Sequence, residues 1–297
     1  MKKIIIVTGG AGFVGTNLIK FFLEKSNLKI ISIDNYSTGK KENHINNKRV
    51  SYLKDDTKNI SKTLKKYKNN ISCIFHFGEF SRIYQSFKNF NQCYDANSIG
   101  SKEVFKFCLD NKIRLIYSAT SATLGNSGND KNLSPYAFTK AKNLELLENL
   151  KKWFNFKFDV VFFYNVYGPK QIKVGKMATV IGIFEDCYEK NKFLSVVKPG
   201  TQTRRFTHIQ DTIEICFEAW KKKKYLNYSV SNKKSYSIIE VAKMFGSKFK
   251  FSPRRKGERY ASALTNLYNK QKVHKRFGKI SLKSYIHNFI NNKKFKK

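Results

Sequence analysis

The chemistry of this chain is concentrated in Tyr136-Ala137-Phe138-Thr139-Lys140. Residues four apart on a helix share a face, so the Lys140 ammonium can sit beside the Tyr136 phenol. A neighbouring positive charge favours phenolate, and a phenolate can take a proton from an alcohol and give it back. Upstream, Ser118-Ala119-Thr120-Ser121-Ala122-Thr123 closes an apolar run that reads as a strand. Hydroxyls at such a strand end point into the crevice of an open sheet. Taken singly, the Tyr-Lys pair fits an exposed tyrosine with a snorkelling lysine equally well. The order of the features argues for a site.

A second constellation precedes it. Thr8-Gly9-Gly10-Ala11-Gly12-Phe13-Val14-Gly15 follows a first apolar run and opens an amphipathic stretch, placing glycines at 9, 12 and 15. Glycine permits the tight turn and the close backbone approach that let helix N-terminal amides face a pyrophosphate. Asp34 ends the second apolar run about twenty residues on, where a carboxylate can bond both ribose hydroxyls. It would repel a 2'-phosphate, so the cofactor is expected to be NAD rather than NADP. A bound nicotinamide cation would favour the Tyr136 phenolate further.

Short apolar runs that alternate with amphipathic stretches must position these residues, which is the sequence form of βαβ units. Strands are predicted near residues 3–7, 29–33, 73–77, 113–117 and 159–163, and helices near 14–24, 95–109 and 136–153. The fold expected is α/β: a Rossmann doubly wound parallel sheet with a smaller C-terminal substrate-binding domain. The division predicted is an NAD-binding domain over residues 1–167 and a substrate-binding domain over 168–297. A segment near 204–229 is expected to return to the first.

Composition bounds what else the chain can be. With 297 residues and 41% hydrophobic content it can bury a real core, and no stretch reaches the roughly 18 apolar residues of a membrane span. The five cysteines contain no C-x-x-C pair, which fits free thiols in a reducing cytoplasm. A net charge of +37 invites a nucleic-acid reading, but lysine is scattered among Asn, Ile, Phe and Tyr. The runs at 221–224 and 293–297 lack the aromatic or arginine interleaving of a nucleic-acid reader, so no specific nucleic-acid partner is expected. His76 and His208 have no second ligand at zinc-like spacing and read as structural; no metal is expected.

The segments TGGAGFVG, IDNYSTG, FHFGEFSRI, YSATSATLGN, SPYAFTK, FFYNVYGPKQ, ATVIGIFE, PGTQTRRFTHIQD and PRRKGE run in order along nearly the whole chain. Together they resemble the extended short-chain dehydrogenase/reductases, the NAD-dependent epimerase/dehydratase family, and most closely its UDP-glucose 4-epimerase-like members. The resemblance implies that Gly9, Gly12, Phe13, Val14 and Gly15 bind the pyrophosphate region. It implies Asp34 at the adenosine ribose, Asp56 at the adenine, Asn35 also among the cofactor-binding residues, and Asn97 in the cofactor-side shell. Thr120 and Tyr136 would flank the reacting carbinol, and Lys140 would hold the nicotinamide ribose. Asn165, Arg204 and Arg255 would touch the nucleotide diphosphate of a UDP-sugar, a role suited to guanidinium forks. The activity implied is C4 epimerisation of a nucleotide-linked hexose through a 4-keto intermediate, by a homodimer.

Departures from the family pattern bear on the substrate. The usual His-x-Ala-Ala is His76-Phe77-Gly78-Glu79, which puts a carboxylate beside the crevice; Glu79 is expected either to contact substrate or to turn outward. Arg205 replaces a common Asp, and Leu124 a common Tyr. Dehydrating relatives carry Asp-Glu after the active-site Thr, because eliminating water needs a second acid and base. Ser121-Ala122 stand there instead, against a dehydratase. Gly175-Lys176-Met177-Ala178 is similar to heptose 6-epimerases, although Val174 holds the position of their extra lysine, with Lys173 beside it. The remaining alternative, from a different class, is a non-catalytic NAD- or RNA-binding protein on the same fold.

Overall fold

The computed structural model describes residues 3–124, 126–257 and 273–294. Gly125, Glu258 and residues 295–297 of the basic tail lie outside the described residues. Eight strands form one wholly parallel sheet, β1 Ile4–Thr8, β2 Lys29–Asp34, β3 Val50–Lys54, β4 Ile71–His76, β5 Arg114–Thr120 and β6 Phe158–Phe163, followed by Asn227–Ser231 and Val273–Phe277. Their order from one edge is Val273–Phe277, Asn227–Ser231, β6, β5, β4, β1, β2, β3. The order reverses between β1 and β4, and there the crevice for a ligand opens.

The strands read as unbroken apolar runs because both faces are covered. Along β1, Ile6 faces the core built with Val104, Phe105 and Cys108 of the Ser101–Asp110 helix and Leu147 of the Pro135–Phe154 helix. Ile5 and Val7 face the opposite core, built with Leu18 and Phe22 of helix α1 (Phe13–Lys25) and with Ile213 and Cys216 of the Ile209–Lys222 helix. This alternation is the two-residue period of a strand, sandwiched between helices. A separate core joins Tyr167, Phe184, Leu194, Val196, Phe206, Val241, Phe245 and Ile286, and it carries the smaller lobe beside the crevice.

Two sequence expectations need correction. Residues 95–109 are not one regular helix: a π-helical turn, Asp95–Gly100, leads into the α-helix Ser101–Asp110. The predicted second domain is not one contiguous unit either, since Val273–Phe277 pairs with Asn227–Ser231 in the main sheet. Its sequence, Val-His-Lys-Arg-Phe, is the charged kind that an edge strand tolerates. Among the described residues no helix is long and apolar enough to cross a membrane.

Candidate active site

The turn after β1 is built from backbone constraints. Gly9 has φ +70°, and a Cβ there would stand 2.9 Å from the Gly78 nitrogen, so the turns after β1 and β4 touch backbone to backbone. At Gly15 a Cβ would lie 2.2 Å from the Gly9 carbonyl, which only glycine avoids. The Asp34 carboxylate closes the next turn by accepting from the amides of Ala11 (2.9 Å) and Tyr36 (2.8 Å). Burial pushes its pKa up, against these hydrogen bonds and the charge of His44.

A cavity of about 700 Å³ begins at this turn and runs across the carboxyl ends of the strands into the smaller lobe. Gly9, Gly12, Phe13, Val14, Gly15, Asp34, Asn35 and Asp56 line one end; Thr120, Tyr136 and Lys140 its middle; Asn165, Arg204 and Arg255 the other end. Asn35 donates to Asp56 at 2.9 Å. Asn165 donates to the Arg205 carbonyl at 2.8 Å. Arg255 lies over the Tyr84 ring, 5.5 Å from its centroid. These residues fit a dinucleotide: the glycine turn leaves no room for side chains, and a carboxylate stands one strand over.

The middle of the cavity is set by the Pro135–Phe154 helix. Ser134 caps it by accepting from the Ala137 amide, and Pro135 takes the first helical position, so Tyr136 and Lys140 fall in its first turns. Both are buried. Lys140 donates to the Glu79 carboxylate and to the Ser118 carbonyl, and its ammonium lies 4.5 Å from the centroid of the Tyr117 ring. Burial lowers the Lys140 pKa, and the Glu79 charge opposes that.

Glu79 therefore does not turn outward, although it lines the cavity. Its side chain is 2% exposed. Besides Lys140 it accepts from the Tyr117 hydroxyl (3.0 Å), Ser101 Oγ (3.0 Å) and Asn143 Nδ2 (3.3 Å). Asn97, expected in the cofactor-side shell, lies one layer back from the cavity. It stands behind the cavity wall, where Oδ1 accepts from the Phe80 amide at 2.6 Å and Nδ2 donates to the Phe80 carbonyl at 3.1 Å. That clamp fixes the segment that carries Glu79. His76, pushed down to about 4 by burial, bonds Thr8 Oγ1 and Ser101 Oγ, while His208 caps the Ile209–Lys222 helix.

Sequence reasoning missed Arg82, whose guanidinium lines the cavity with Nε donating to the Met177 carbonyl at 2.9 Å, and so ties the β4 side to the smaller lobe. Burial lowers its pKa, with Tyr136 the charge that opposes this. Asn143 was legible in principle, one turn after Lys140 on the same helix face.

A doubly wound parallel sheet with a glycine turn and a ribose-side carboxylate at its switch point defines a dinucleotide-binding protein of Rossmann type. The chain belongs to the NAD dependent epimerase/dehydratase family, whose model matches residues 5–232, and its cofactor is NAD. It is 29% identical over 263 residues to ADP-L-glycero-D-manno-heptose-6-epimerase of Brachyspira hyodysenteriae, covering 83% of this chain and 81% of the relative. A heptose-6-epimerase of Fusobacterium nucleatum is 28% identical over 234 residues, or 72% and 70% of the two chains. In fold the chain is similar to UDP-glucose 4-epimerase of Thermotoga maritima with UDP-glucose (TM-score 0.85, 20% identity, 99% of each chain). It is likewise similar to the Thermus thermophilus UDP-glucose 4-epimerase in complex with NAD (TM-score 0.81, 19% identity, 97% and 98% of the chains).

Proposed function

We propose that this enzyme reversibly inverts C4 of a nucleotide-linked hexose, with a UDP-sugar as the first substrate to try. The observation that carries the reading is one continuous cavity with the glycine turn and Asp34 at one end, Thr120, Tyr136 and Lys140 in the middle, and Arg204 and Arg255 at the other. Gly9, Gly12, Gly15 and Asp34 would hold NAD, which when bound supplies reversible hydride acceptance at the sugar carbon. The chain's own work is binding and proton transfer. Arg204 and Arg255 take the diphosphate, and Thr120 hydrogen-bonds the C4 oxygen. Tyr136 as phenolate removes that hydroxyl's proton and returns it after the 4-keto sugar has presented its other face.

The test is to incubate the purified protein with UDP-, dTDP-, GDP- and ADP-sugars and follow products by NMR. A C4-inverted sugar is expected. A 4,6-dehydrated product alone would overturn the reaction assigned. The similarity to heptose 6-epimerases supports a second reading, with ADP-heptose as substrate. Against it, Lys173 pairs with Glu185 and Glu189, and Val174 is exposed. Inversion of ADP-heptose at C6 in the same panel would replace the first reading.

The reading also takes the protein as a cytoplasmic homodimer. Phe90, Tyr94 and Phe138, exposed on two helices that pack together, supply an apolar patch for a second copy.

A further inference from the structure

Lysine beside a reacting phenol is usually credited with one service, its charge. In this chain that charge is not alone. Lys140 and Glu79 form an ion pair whose side chains are 5% and 2% exposed. The carboxylate is itself immobilised from three directions: Tyr117 on β5, Ser101 on the Ser101–Asp110 helix, and Asn143 one turn beyond Lys140. Ser101 is held in turn by His76 Nε2 at 2.9 Å, and Asn143 by the Asn97 carbonyl at 2.6 Å.

We propose that Glu79 is a positioning residue for Lys140: it fixes the ammonium against the cavity wall so that one N–H stays available to a ligand there. An ammonium has three donors. Glu79 and the Ser118 carbonyl occupy two. The third belongs to the cavity that Lys140 lines. An isolated buried ammonium sheds its proton rather than stay charged in a dry site. Beside Glu79 it keeps the proton, because the other titratable groups that face it do not supply a counter-charge. Those groups are His76 on β4, Tyr117 on β5 and Cys93 on the Phe90–Tyr94 helix; Tyr136, on the lysine's own helix, is an anion only as the phenolate that a charged Lys140 itself favours. The proposal rests on the NAD-dependent reading of the same cavity, and on no particular sugar.

The experiment compares wild type, Glu79→Gln, Glu79→Asp, Lys140→Met and the double variant Lys140→Met/Glu79→Gln, with urea midpoints recorded for each. Calorimetry measures NAD affinity at pH 7 and pH 9, independently of turnover. In Glu79→Gln, NAD affinity should fall at least tenfold further between pH 7 and pH 9 than it does in wild type, because Lys140 now loses its proton inside that window. Where a sugar substrate is known, the basic limb of kcat should move down by a pH unit or more while KM changes less than twofold. Glu79→Asp, which keeps the charge, should return the limb toward wild type. If Glu79→Gln does not fold, the charge-free double variant and Glu79→Asp carry the test. The double variant should lose no more NAD affinity than Lys140→Met alone. Wild-type NAD affinity at both pH values in Glu79→Gln overturns the proposal, as does an additive loss in the double variant. Absence of turnover with every sugar nucleotide would instead count against the epimerase reading, leaving the NAD measurement to decide the role of Glu79.

Discussion

Two buried ion pairs sit at opposite ends of the same sheet, and their surroundings give them opposite roles. At the amino ends of β5 and β6, Arg114 donates from Nε and Nη2 to Asp159 and spends its remaining reach on the carbonyls of Ala219 and Trp220. Asp159 also accepts from the Leu226 amide at 2.9 Å. That pair ties the last turn of the Ile209–Lys222 helix to the strands, where carbonyls lack partners and a cation is favoured. At the carboxyl ends, Lys140 and Glu79 are as deeply buried, yet Lys140 lines a cavity and keeps a donor unspent. Burial alone does not mark a functional pair; an unspent donor facing a crevice does.

The comparison can be broken at either end. The largest effect expected is from Tyr136→Phe, which removes the proton carrier at the carboxyl end. Turnover should fall about 10²–10⁴-fold with the urea midpoint unchanged. Arg114→Met should do the reverse: stability falls by about 3–5 kcal/mol, because Asp159 is left buried and uncompensated, while the folded fraction keeps wild-type kcat. If Arg114→Met instead lowered kcat of folded enzyme as much as stability, the two ends would not be separable. Gly15→Ala should displace the turn against the Gly9 carbonyl and weaken NAD binding by about 10²-fold, read by calorimetry.

The smallest effect concerns pH. His76 is held near 4 by burial, well under its unfolded value, so the folded state keeps it neutral. Below about pH 6.5 the unfolded chain takes up a proton that the folded chain refuses, and stability falls until pH reaches about 4. Urea unfolding at pH 7 and 4.5 should show a loss on the order of 2 kcal/mol from this group, and His76→Gln should flatten the slope. An unchanged slope in His76→Gln would place the titration elsewhere.

What was legible in the sequence follows the range of the interactions. The glycine turn, Asp34 and the Tyr136–Lys140 pair are set by spacings within one or two elements, and local periodicity exposes them. The orientation of Glu79 is set by Ser101, Tyr117, Lys140 and Asn143, which lie 22, 38, 61 and 64 residues away. No local pattern carries that information. The clamp of Asn97 on Phe80, 17 residues away, is equally invisible to local pattern. The edge strands Val50–Lys54 and Val273–Phe277 also escaped, since a strand with one neighbour tolerates charge that blurs the apolar run.

Burial has a last consequence for the thiols. Cys73 and Cys216 lie in the core on one face of the sheet, Cys108 in the core on the other, and Cys93 in the cluster around Tyr136. Desolvation holds Cys73 up at about 12 and Cys93 at about 11, and lifts Cys108 and Cys216 as well. Thiolate is the form that alkylating reagents attack, so at neutral pH these four positions are silent in the closed molecule. Each becomes reactive only when its own layer parts. Pulsed alkylation read by mass spectrometry would therefore clock the opening of three separate layers within one polypeptide, with no probe introduced.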